Sequence, residues 1–131
     1  MKKTILCVDD EATILVSLKS QLKRNFGSDF GYEFAESPLE AMELIDELVD
    51  GGVKIILIVS DWLMPEMRGD DFLIDMHKKY PGIVKIMLTG QANKEAVERA
   101  QKEADLLACL QKPWDEQEFV ALVREGIKLI Q

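Results

Sequence analysis

The eight-residue stretch from Lys54 to Asp61 constrains the fold of this 131-residue chain more than any other segment. Its centre is a continuous run of β-branched and aliphatic residues, which is typical of a strand buried on both faces in a parallel sheet. Pro65 follows soon afterwards, and proline cannot continue a central strand, so the strand is expected to end at Asp61. In open α/β sheets, ligands bind at that end of the strands. Asp61 is therefore a candidate for chemistry by its position alone.

Short apolar runs alternate with longer amphipathic segments along the chain. The pattern predicts strands over residues 4–8, 32–35, 54–61, 83–88 and 106–110. It predicts helices over residues 11–26, 38–50, 69–80, 94–103 and from 116 to the end, with Ser37, Asn93 and Asp115 as capping residues. Strands that alternate with helices imply a parallel sheet covered by helices on both faces. The expected fold is a doubly wound α/β sandwich that forms one domain over residues 1–131.

Composition narrows the classes of partner. The net charge is −8 at pH 7, and phosphate contacts need a basic face, so direct binding to nucleic acid or to an anionic membrane is not expected. No apolar segment is long enough to span a bilayer, and the run over residues 5–8 is too short for a signal peptide, so we expect a cytoplasmic protein. Cys7 and Cys109 lie in apolar runs and are expected to be buried thiols. His77, the only histidine, is expected to face solvent.

Four of the predicted strands end in polar residues of different types. The first ends in Asp9 and Asp10, the third in Asp61, the fourth in Thr89 and the fifth in Lys112. Because the carboxyl ends of parallel strands meet at one edge of the sheet, these side chains are expected to converge. Each has a plainer interpretation when taken alone: a helix cap for Asp9 and Asp10, a turn for Thr89 and a solvated strand end for Lys112. Their joint occurrence at one edge favours a site.

The charge balance of these residues indicates what such a site would bind. Three clustered carboxylates repel one another, and one lysine cannot neutralise them. Oxygen ligands of this kind suit Mg²⁺, which keeps several of its waters. A magnesium ion and a lysine can neutralise phosphoryl oxygens while a carboxylate attacks in line, and an aspartate nucleophile would give an acyl phosphate. The residues therefore predict phosphoryl transfer that depends on Mg²⁺.

Four segments carry a resemblance to a known family. They are Val8-Asp9-Asp10-Glu11, Ser60-Asp61-Trp62-Leu63-Met64-Pro65 with Gly69, Leu88-Thr89-Gly90, and Leu110-Gln111-Lys112-Pro113-Trp114. In this order the set resembles the receiver domain of two-component response regulators, the CheY-like family, over essentially the whole chain. The resemblance implies a flavodoxin-like (βα)5 fold with strand order 2-1-3-4-5 and a cis peptide bond between Lys112 and Pro113. That order also places Cys7 and Cys109 beyond the reach of a disulfide.

The resemblance further implies a metal site and a phospho-acceptor. Asp61 would accept a phosphoryl group from the phosphohistidine of a sensor histidine kinase or a phosphotransfer protein. Asp10 and Asp61 would bind Mg²⁺ directly, Asp9 would act through water, and the backbone carbonyl of Leu63 would complete the protein ligands. The domain would catalyse its own phosphorylation and dephosphorylation as a signalling module, and would not be a metabolic enzyme.

The remaining implied roles concern how phosphorylation is read. Lys112 would contact the phosphoryl group, and Thr89 would turn inward to hydrogen-bond it. The face formed by the fourth helix, the fifth strand and the fifth helix would then bind a partner or a second copy of the chain. The Thr89-Gly90-Gln91 segment and the residues from Lys112 to Asp115 resemble the front of multidomain regulators. We therefore expect the chain to be the N-terminal receiver of a longer regulator.

The chain also departs from the family pattern. Many receivers carry a tyrosine or phenylalanine three residues before the lysine, where this chain has Cys109, so a rotating aromatic switch is not available. The switch would instead rely on Thr89 and on backbone movement over residues 90–94. Leu63 and Gln91 flank the approach of the hydrolytic water in this family, and a leucine cannot position water. We therefore expect slow loss of the phosphoryl group.

Two other classes of function remain as alternatives at this point. A haloacid-dehalogenase-like phosphatase also uses Asp, Thr, Lys and Mg²⁺, but it needs a second aspartate two residues after the nucleophile, where this chain has Leu63. A non-phosphorylated interaction module with the receiver fold is the second alternative. The full set of acidic residues, Asp9, Asp10 and Asp61, argues against that alternative.

Overall fold

Strands and helices alternate strictly along the chain, as the hydrophobic pattern predicts. The structure, a computed structural model, describes residues 3–91 and 93–130. Within these residues the strands are β1 (Lys3–Val8), β2 (Gly31–Ala35), β3 (Lys54–Asp61), β4 (Val84–Thr89) and β5 (Ala108–Gln111). The helices are α1 (Ala12–Phe26), α2 (Pro38–Asp50), α3 (Gly69–Lys79), α4 (Lys94–Glu103) and α5 (Glu116–Ile130). None of these helices has the length and apolar character needed to cross a membrane.

The strands form one parallel sheet in the order β2-β1-β3-β4-β5. The predicted α/β fold, flavodoxin-like (βα)5 with strand order 2-1-3-4-5, is therefore confirmed. Cys7 on β1 and Cys109 on β5 are free thiols and are separated by two intervening strands. The peptide bond between Lys112 and Pro113 is cis, as the family resemblance implies.

Alternate residues of each central strand face opposite layers of helices. On β1, Ile5 and Cys7 belong to the apolar core shared with α1 and α5, whereas Leu6 and Val8 belong to the core shared with α2, α3 and α4. Both cores are buried, which explains why the strands read as continuous apolar runs in the sequence. Helices thus cover both faces of the sheet, and polar residues lie where its strands end.

Capping side chains start three of the helices where the sequence predicts them. The Ser37 hydroxyl accepts a hydrogen bond of 3.1 Å from the backbone N–H of Glu40, with Pro38 at the first helical position. The Asn93 side chain accepts from the Ala96 N–H at 2.9 Å, and the Asp115 carboxylate accepts from the Glu118 N–H at 3.1 Å. These contacts satisfy backbone donors that would otherwise lack partners in the first turn.

Several predicted strand boundaries are wrong by one or two residues, and local hydrogen bonds explain the late starts of the fourth and fifth strands. The fifth strand begins at Ala108 and not at Leu106, because the Leu106 N–H bonds the carbonyl of Ala100 and so closes the end of α4. Asp105 precedes it with a φ of 53°, which turns the chain out of the helix. The fourth strand begins one residue later than predicted, because the Ile83 N–H donates to the Tyr80 carbonyl in the preceding turn.

The expectation that His77 faces solvent is only partly correct, because the residue is partly buried. Its Nδ1 atom lies 2.9 Å from the Nζ atom of Lys85, whose side chain is buried in β4 with 1% exposure. The Lys85 ammonium also donates to the Ile83 carbonyl. Burial lowers the pKa of Lys85 to about 8, and burial together with the Lys85 charge lowers the pKa of His77. The half-buried His77 ring therefore acts as a hydrogen-bond acceptor for a buried lysine.

Candidate functional site

Three carboxylates meet at the carboxyl edge of the sheet. Asp9, Asp10 and Asp61 each offer an oxygen atom that lies within 4.8 Å of the corresponding atoms of the other two. Asp9 is fully buried, Asp61 is 5% exposed, and Asp10 is exposed at the surface. The predicted convergence of these side chains is therefore observed.

The register of the sheet produces this convergence. Val8 on β1 pairs with Ser60 on β3, so the residues that follow them, Asp9 and Asp61, emerge side by side. The Asp9 N–H donates to the Ala35 carbonyl, at 3.2 Å. Farther along the same edge, where β4 and β5 end, the Lys112 N–H donates to the Thr89 carbonyl at 2.8 Å. Backbone pairing thus fixes the positions of Asp9, Asp61, Thr89 and Lys112 at this edge of the sheet.

Lys112 crosses from the end of β5 to the acidic group. Its Nζ atom lies 2.8 Å from Asp9 Oδ2 and 3.1 Å from Asp61 Oδ1. Burial on its own would lower the pKa of Lys112, but hydrogen bonds and charge from Asp9 and Asp61 outweigh it and raise the pKa. The ammonium is therefore held in its charged form against two of the three carboxylates.

The acidic group remains short of positive charge. Burial and the neighbouring Asp9 charge raise the pKa of Asp61 to about 6, and contact with Asp10 adds to the rise, whereas Lys112 opposes it. A carboxyl that is harder to ionise than usual beside a single ammonium is the expected result of crowding like charges in a buried site. An additional cation at this place would relieve that repulsion.

The oxygen donors present fit a divalent cation of the Mg²⁺ type. Three carboxylates from Asp9, Asp10 and Asp61 supply hard oxygen ligands, and the exposure of Asp10 leaves the site open to water. Neither cysteine belongs to the group, and the described residues around it offer no imidazole, so a softer metal such as zinc is not favoured.

Thr89 lies beside the acidic group but makes other contacts. Its side chain is buried, and its hydroxyl donates to the Gln91 carbonyl and accepts from the Gln91 N–H at 3.1 Å. Asp9 likewise makes a local contact, since its Oδ1 accepts from the Glu11 N–H at 2.8 Å. The plainer interpretation of Thr89 as a turn is thus present together with the shared site. The interpretation of Asp9 as a helix cap is wrong, because α1 begins after Glu11 without a side-chain capping hydrogen bond.

The loop after Asp61 presents Leu63 to solvent. Its side chain is 55% exposed, whereas its neighbours Trp62 and Met64 are buried. This alternation leaves an apolar, non-hydrogen-bonding side chain in solvent two residues after Asp61. Ala92, within the 90–94 segment that sequence reasoning linked to switching, lies outside the described residues.

Gly69 allows α3 to start directly against the loop that follows Asp61. A Cβ atom at this position would lie 2.0 Å from the Asp61 carbonyl oxygen and 2.9 Å from the Trp62 Cα. The Gly69 N–H donates to the Trp62 carbonyl at 2.6 Å. The glycine quoted in the sequence motif is therefore required by close backbone contact with the residues that hold Asp61 in place.

Asp70 is a buried site residue that sequence reasoning missed. It is fully buried, and its carboxylate accepts hydrogen bonds from the Trp62 indole at 3.1 Å, from Arg68 at 3.1 Å and from Arg99 at 3.0 Å. In the sequence, Asp70 reads only as an acidic residue in the first turn of a helix. Its partner Arg99 lies in another helix, and no periodic pattern connects the two positions.

Comparison with known proteins agrees with the observed fold. The family model described as the response regulator receiver domain matches residues 5–124. The hydrogenase transcriptional regulatory protein HoxA of Cupriavidus necator is 29% identical over 125 residues, which cover 95% of this chain and 24% of that protein. The chain thus spans about a quarter of the length of this relative.

A shorter relative and a solved structure extend the agreement. The chemotaxis protein CheY homolog of Campylobacter jejuni is 36% identical over 100 residues, covering 75% of this chain and 72% of that protein. The solution structure of the beryllofluoride-activated NtrC4 receiver domain dimer superposes with a TM-score of 0.84 at 26% identity, covering 98% of each chain. With the parallel sheet, the acidic group and Lys112 at its carboxyl edge, these matches show that the chain belongs to the family of response regulator receiver domains.

Proposed function

We propose that Asp61 is the phospho-acceptor of this receiver. Its carboxylate oxygen would attack the phosphorus of a phosphohistidine on a sensor histidine kinase or a phosphotransfer protein. The P–N bond would break, its electron pair would stay on the imidazole nitrogen, and an acyl phosphate would form on Asp61. The observation that carries this proposal is the position of Asp61: nearly buried, 3.1 Å from the Lys112 ammonium, and at the carboxyl end of a central strand.

The other residues of the site would support this transfer. Asp10 and Asp61 would hold Mg²⁺ directly, with Asp9 acting through water and the Leu63 carbonyl completing the ligands. When bound, the ion would supply positive charge to the phosphoryl oxygens. Lys112 would release part of its contact with Asp61 and donate to the phosphoryl group, for which its raised pKa keeps it charged.

Thr89 would report the modification. Its hydroxyl now donates to the Gln91 carbonyl, and turning it toward a phosphoryl oxygen would exchange that bond for a charge-assisted one. The exchange frees the Gln91 backbone, which follows Thr89 in the loop before α4. Since Cys109 offers no aromatic ring to rotate, this loop and α4 would carry the change to the α4-β5-α5 face.

We propose that this face binds an output partner or a second copy of the chain. The NtrC4 receiver is described as a dimer in its beryllofluoride-activated form, which supports dimerisation after phosphorylation here. The relation to HoxA supports a place as the N-terminal receiver of a longer regulator in the cytoplasm. In this role the domain catalyses its own phosphorylation and dephosphorylation and acts as a signal carrier.

Phosphorylation by acetyl phosphate in the presence of Mg²⁺ tests the proposal. Intact-mass measurement should show one added phosphoryl group on the unmodified chain and none on Asp61→Asn. The matched control is Asp75→Asn, which neutralises an exposed aspartate on α3 and should be phosphorylated normally. Equal labelling of Asp61→Asn, or no labelling of the unmodified chain, would contradict the assignment and favour the interaction-module alternative.

A further inference from the structure

Trp62 connects β3, the strand that ends in Asp61, to a second group of charged side chains. It follows Asp61 directly, and its backbone N–H donates to the Leu88 carbonyl at 2.8 Å. Its indole N–H donates to Asp70 Oδ1 at 3.1 Å. The indole is almost fully buried, so a displacement of the Trp62 backbone must either move Asp70 or break this hydrogen bond.

The two carboxylate oxygens of Asp70 contact different parts of the protein, the loop that follows Asp61 and α4. Oδ1 accepts a hydrogen bond from the Trp62 indole, while Oδ2 accepts from Arg68 at 3.1 Å and from Arg99 at 3.0 Å. Hydrogen bonds between a carboxylate and a guanidinium are among the stronger ones in proteins, and burial of Asp70 strengthens them further. A fully buried carboxylate with these three donors has little freedom to reorient.

Arg99 is the far end of this connection. The same NH1 atom that contacts Asp70 also lies 2.6 Å from Asp71 Oδ1, so one guanidinium binds two residues of α3. Its Nε atom lies 3.2 Å from Glu103 within α4. Arg99 thereby ties α4 to α3 by charge.

The apolar packing of α4 is weak by comparison. Its buried positions are Ala96 and Ala100, with Val97 partly buried against the same core, and these small side chains remove little apolar area from water. A helix held by two alanines, a partly buried valine and one arginine can shift at low cost when the arginine contact changes. The arrangement is therefore suited to moving α4 in response to the acceptor loop.

We infer that the Trp62–Asp70–Arg99 chain of hydrogen bonds couples the Asp61 site to α4. Asp70 acts in this chain as a positioning residue, since it touches Trp62 and Arg99 and not the reacting atoms. Occupation of the site shifts the backbone after Asp61, and the shift reaches α4 through Asp70 and Arg99. The inference rests on the proposed function of Asp61. Because coupling is reciprocal, a partner that binds α4 changes the affinity of the site by the same factor.

Amide hydrogen exchange with and without beryllofluoride and Mg²⁺ tests the coupling. The readout is the change in protection of residues 94–103 on saturation, and calorimetry gives the affinity of the site separately. In Arg99→Gln the α4 response should fall by about fivefold or more while beryllofluoride still binds. Asp70→Asn should behave alike, and the double variant should show no further loss because both residues belong to one chain.

Glu103→Gln is the matched control, since it removes an Arg99 contact that stays within α4. Its α4 response should equal that of the unmodified chain. If Arg99→Gln does not fold, Arg99→Lys replaces it, and its single ammonium should also reduce the response because it cannot bridge Asp70, Asp71 and Glu103 together.

The outcomes separate the two proposals. A full α4 response in Arg99→Gln, or in its lysine replacement, with beryllofluoride bound overturns the coupling and leaves the role of Asp61 intact. Failure of the unmodified chain to bind beryllofluoride overturns the proposed function, and the coupling with it. An equal loss of response in Glu103→Gln also overturns the coupling, because it would show that loosening α4 alone is sufficient.

Discussion

Two groups of carboxylates, each with at least one buried aspartate, lie on either side of Trp62, and they differ in charge balance. At the sheet edge, Asp9, Asp10 and Asp61 share one ammonium, from Lys112. At the start of α3, the carboxylates are Asp70 and Asp71, and the donors are two guanidiniums and an indole, from Arg68, Arg99 and Trp62. The first group lacks positive charge, and the second has its charges matched.

The difference separates a binding site from a structural contact. A matched group of charges is already satisfied by the protein, so it holds elements together and has nothing to gain from a ligand. An unmatched group makes the folded state less stable until a cation arrives, as the raised pKa of Asp61 indicates. Aspartate thus has opposite roles at two nearby positions, Asp61 at the end of β3 and Asp70 at the start of α3.

The largest effect is expected where the two groups meet, at Gly69. Gly69→Ala would place a Cβ atom 2.0 Å from the Asp61 carbonyl oxygen, and only backbone movement could relieve the contact. We expect a loss of about 4 kcal/mol or more in the free energy of unfolding, together with loss of phosphorylation. Gly82→Ala, where a Cβ atom would meet nothing within 4 Å, is the control and should change stability by less than about 1 kcal/mol. Comparable stability of the two variants in urea unfolding would refute the close contact.

Neutralising one aspartate from each group should change stability in opposite directions. Asp70→Asn leaves two guanidiniums facing an amide, and we expect it to lower the free energy of unfolding by about 3 kcal/mol. Asp61→Asn removes a charge that burial and repulsion from Asp9 both disfavour, and in the absence of divalent cations at pH 7 we expect it to raise that free energy by about 2 kcal/mol. Urea unfolding of both variants in a chelator measures the difference. Changes of the same sign would contradict the comparison.

The pH dependence of Mg²⁺ binding sharpens the contrast. The pKa of Asp61 is raised from 3.8 to about 6 in the folded state without metal. Between these pH values the folded state holds a proton that the unfolded state has released, so the free energy of unfolding falls as pH rises through this window. Because Mg²⁺ competes with that proton, its affinity should fall by about tenfold for each pH unit below 6. Calorimetric titration at several pH values measures this. Asp61→Asn is the control and should bind more weakly with a flatter profile, whereas a constant affinity from pH 7 to pH 5 would exclude the shared proton.

The smallest effect concerns Leu63, the exposed leucine two residues after Asp61. Leu63→Asn would introduce an amide able to orient water, and we expect loss of the phosphoryl label to become about tenfold faster, equal to about 1.4 kcal/mol in the barrier. Leu39→Asn, at an exposed leucine on α2, should leave the rate unchanged. The half-life is followed by loss of label from Asp61. A half-life in the unmodified chain that is already as short as that of Leu63→Asn would contradict the expectation of slow loss.

Much of the candidate site was predictable because its residues stand at strand ends. A buried strand, a polar residue and then a loop form a local pattern, and parallel strands bring such ends together without further information. Asp9, Asp61 and Lys112 were found in this way. The wrong start of the fifth strand has a different origin, since Leu106 is apolar enough for a strand and only its bond to the Ala100 carbonyl assigns it to the end of α4.

Burial of charge was the property that the sequence did not reveal. In the sequence, Lys85 is a single charged residue within the apolar run of β4. In the structure its ammonium is buried against His77 of the preceding helix. Asp70 and Arg99 are 29 residues apart, and each alone is a common residue on the surface of a helix. Which charge loses its water depends on which elements pack together, and hydrophobic periodicity does not report that pairing.

The amino-acid sequence by itself determined the order of strands and helices, the caps, and the acidic residues at the strand ends, because each is a local preference of the backbone or a short pattern. The tertiary structure alone decided which carboxylates are matched. Electrostatic energy depends on distance and on exclusion of water, and only packing of α3 against α4 and of β1 against β3 sets those quantities. That packing gives Asp70 three donors and leaves Asp61 with one ammonium shared with Asp9.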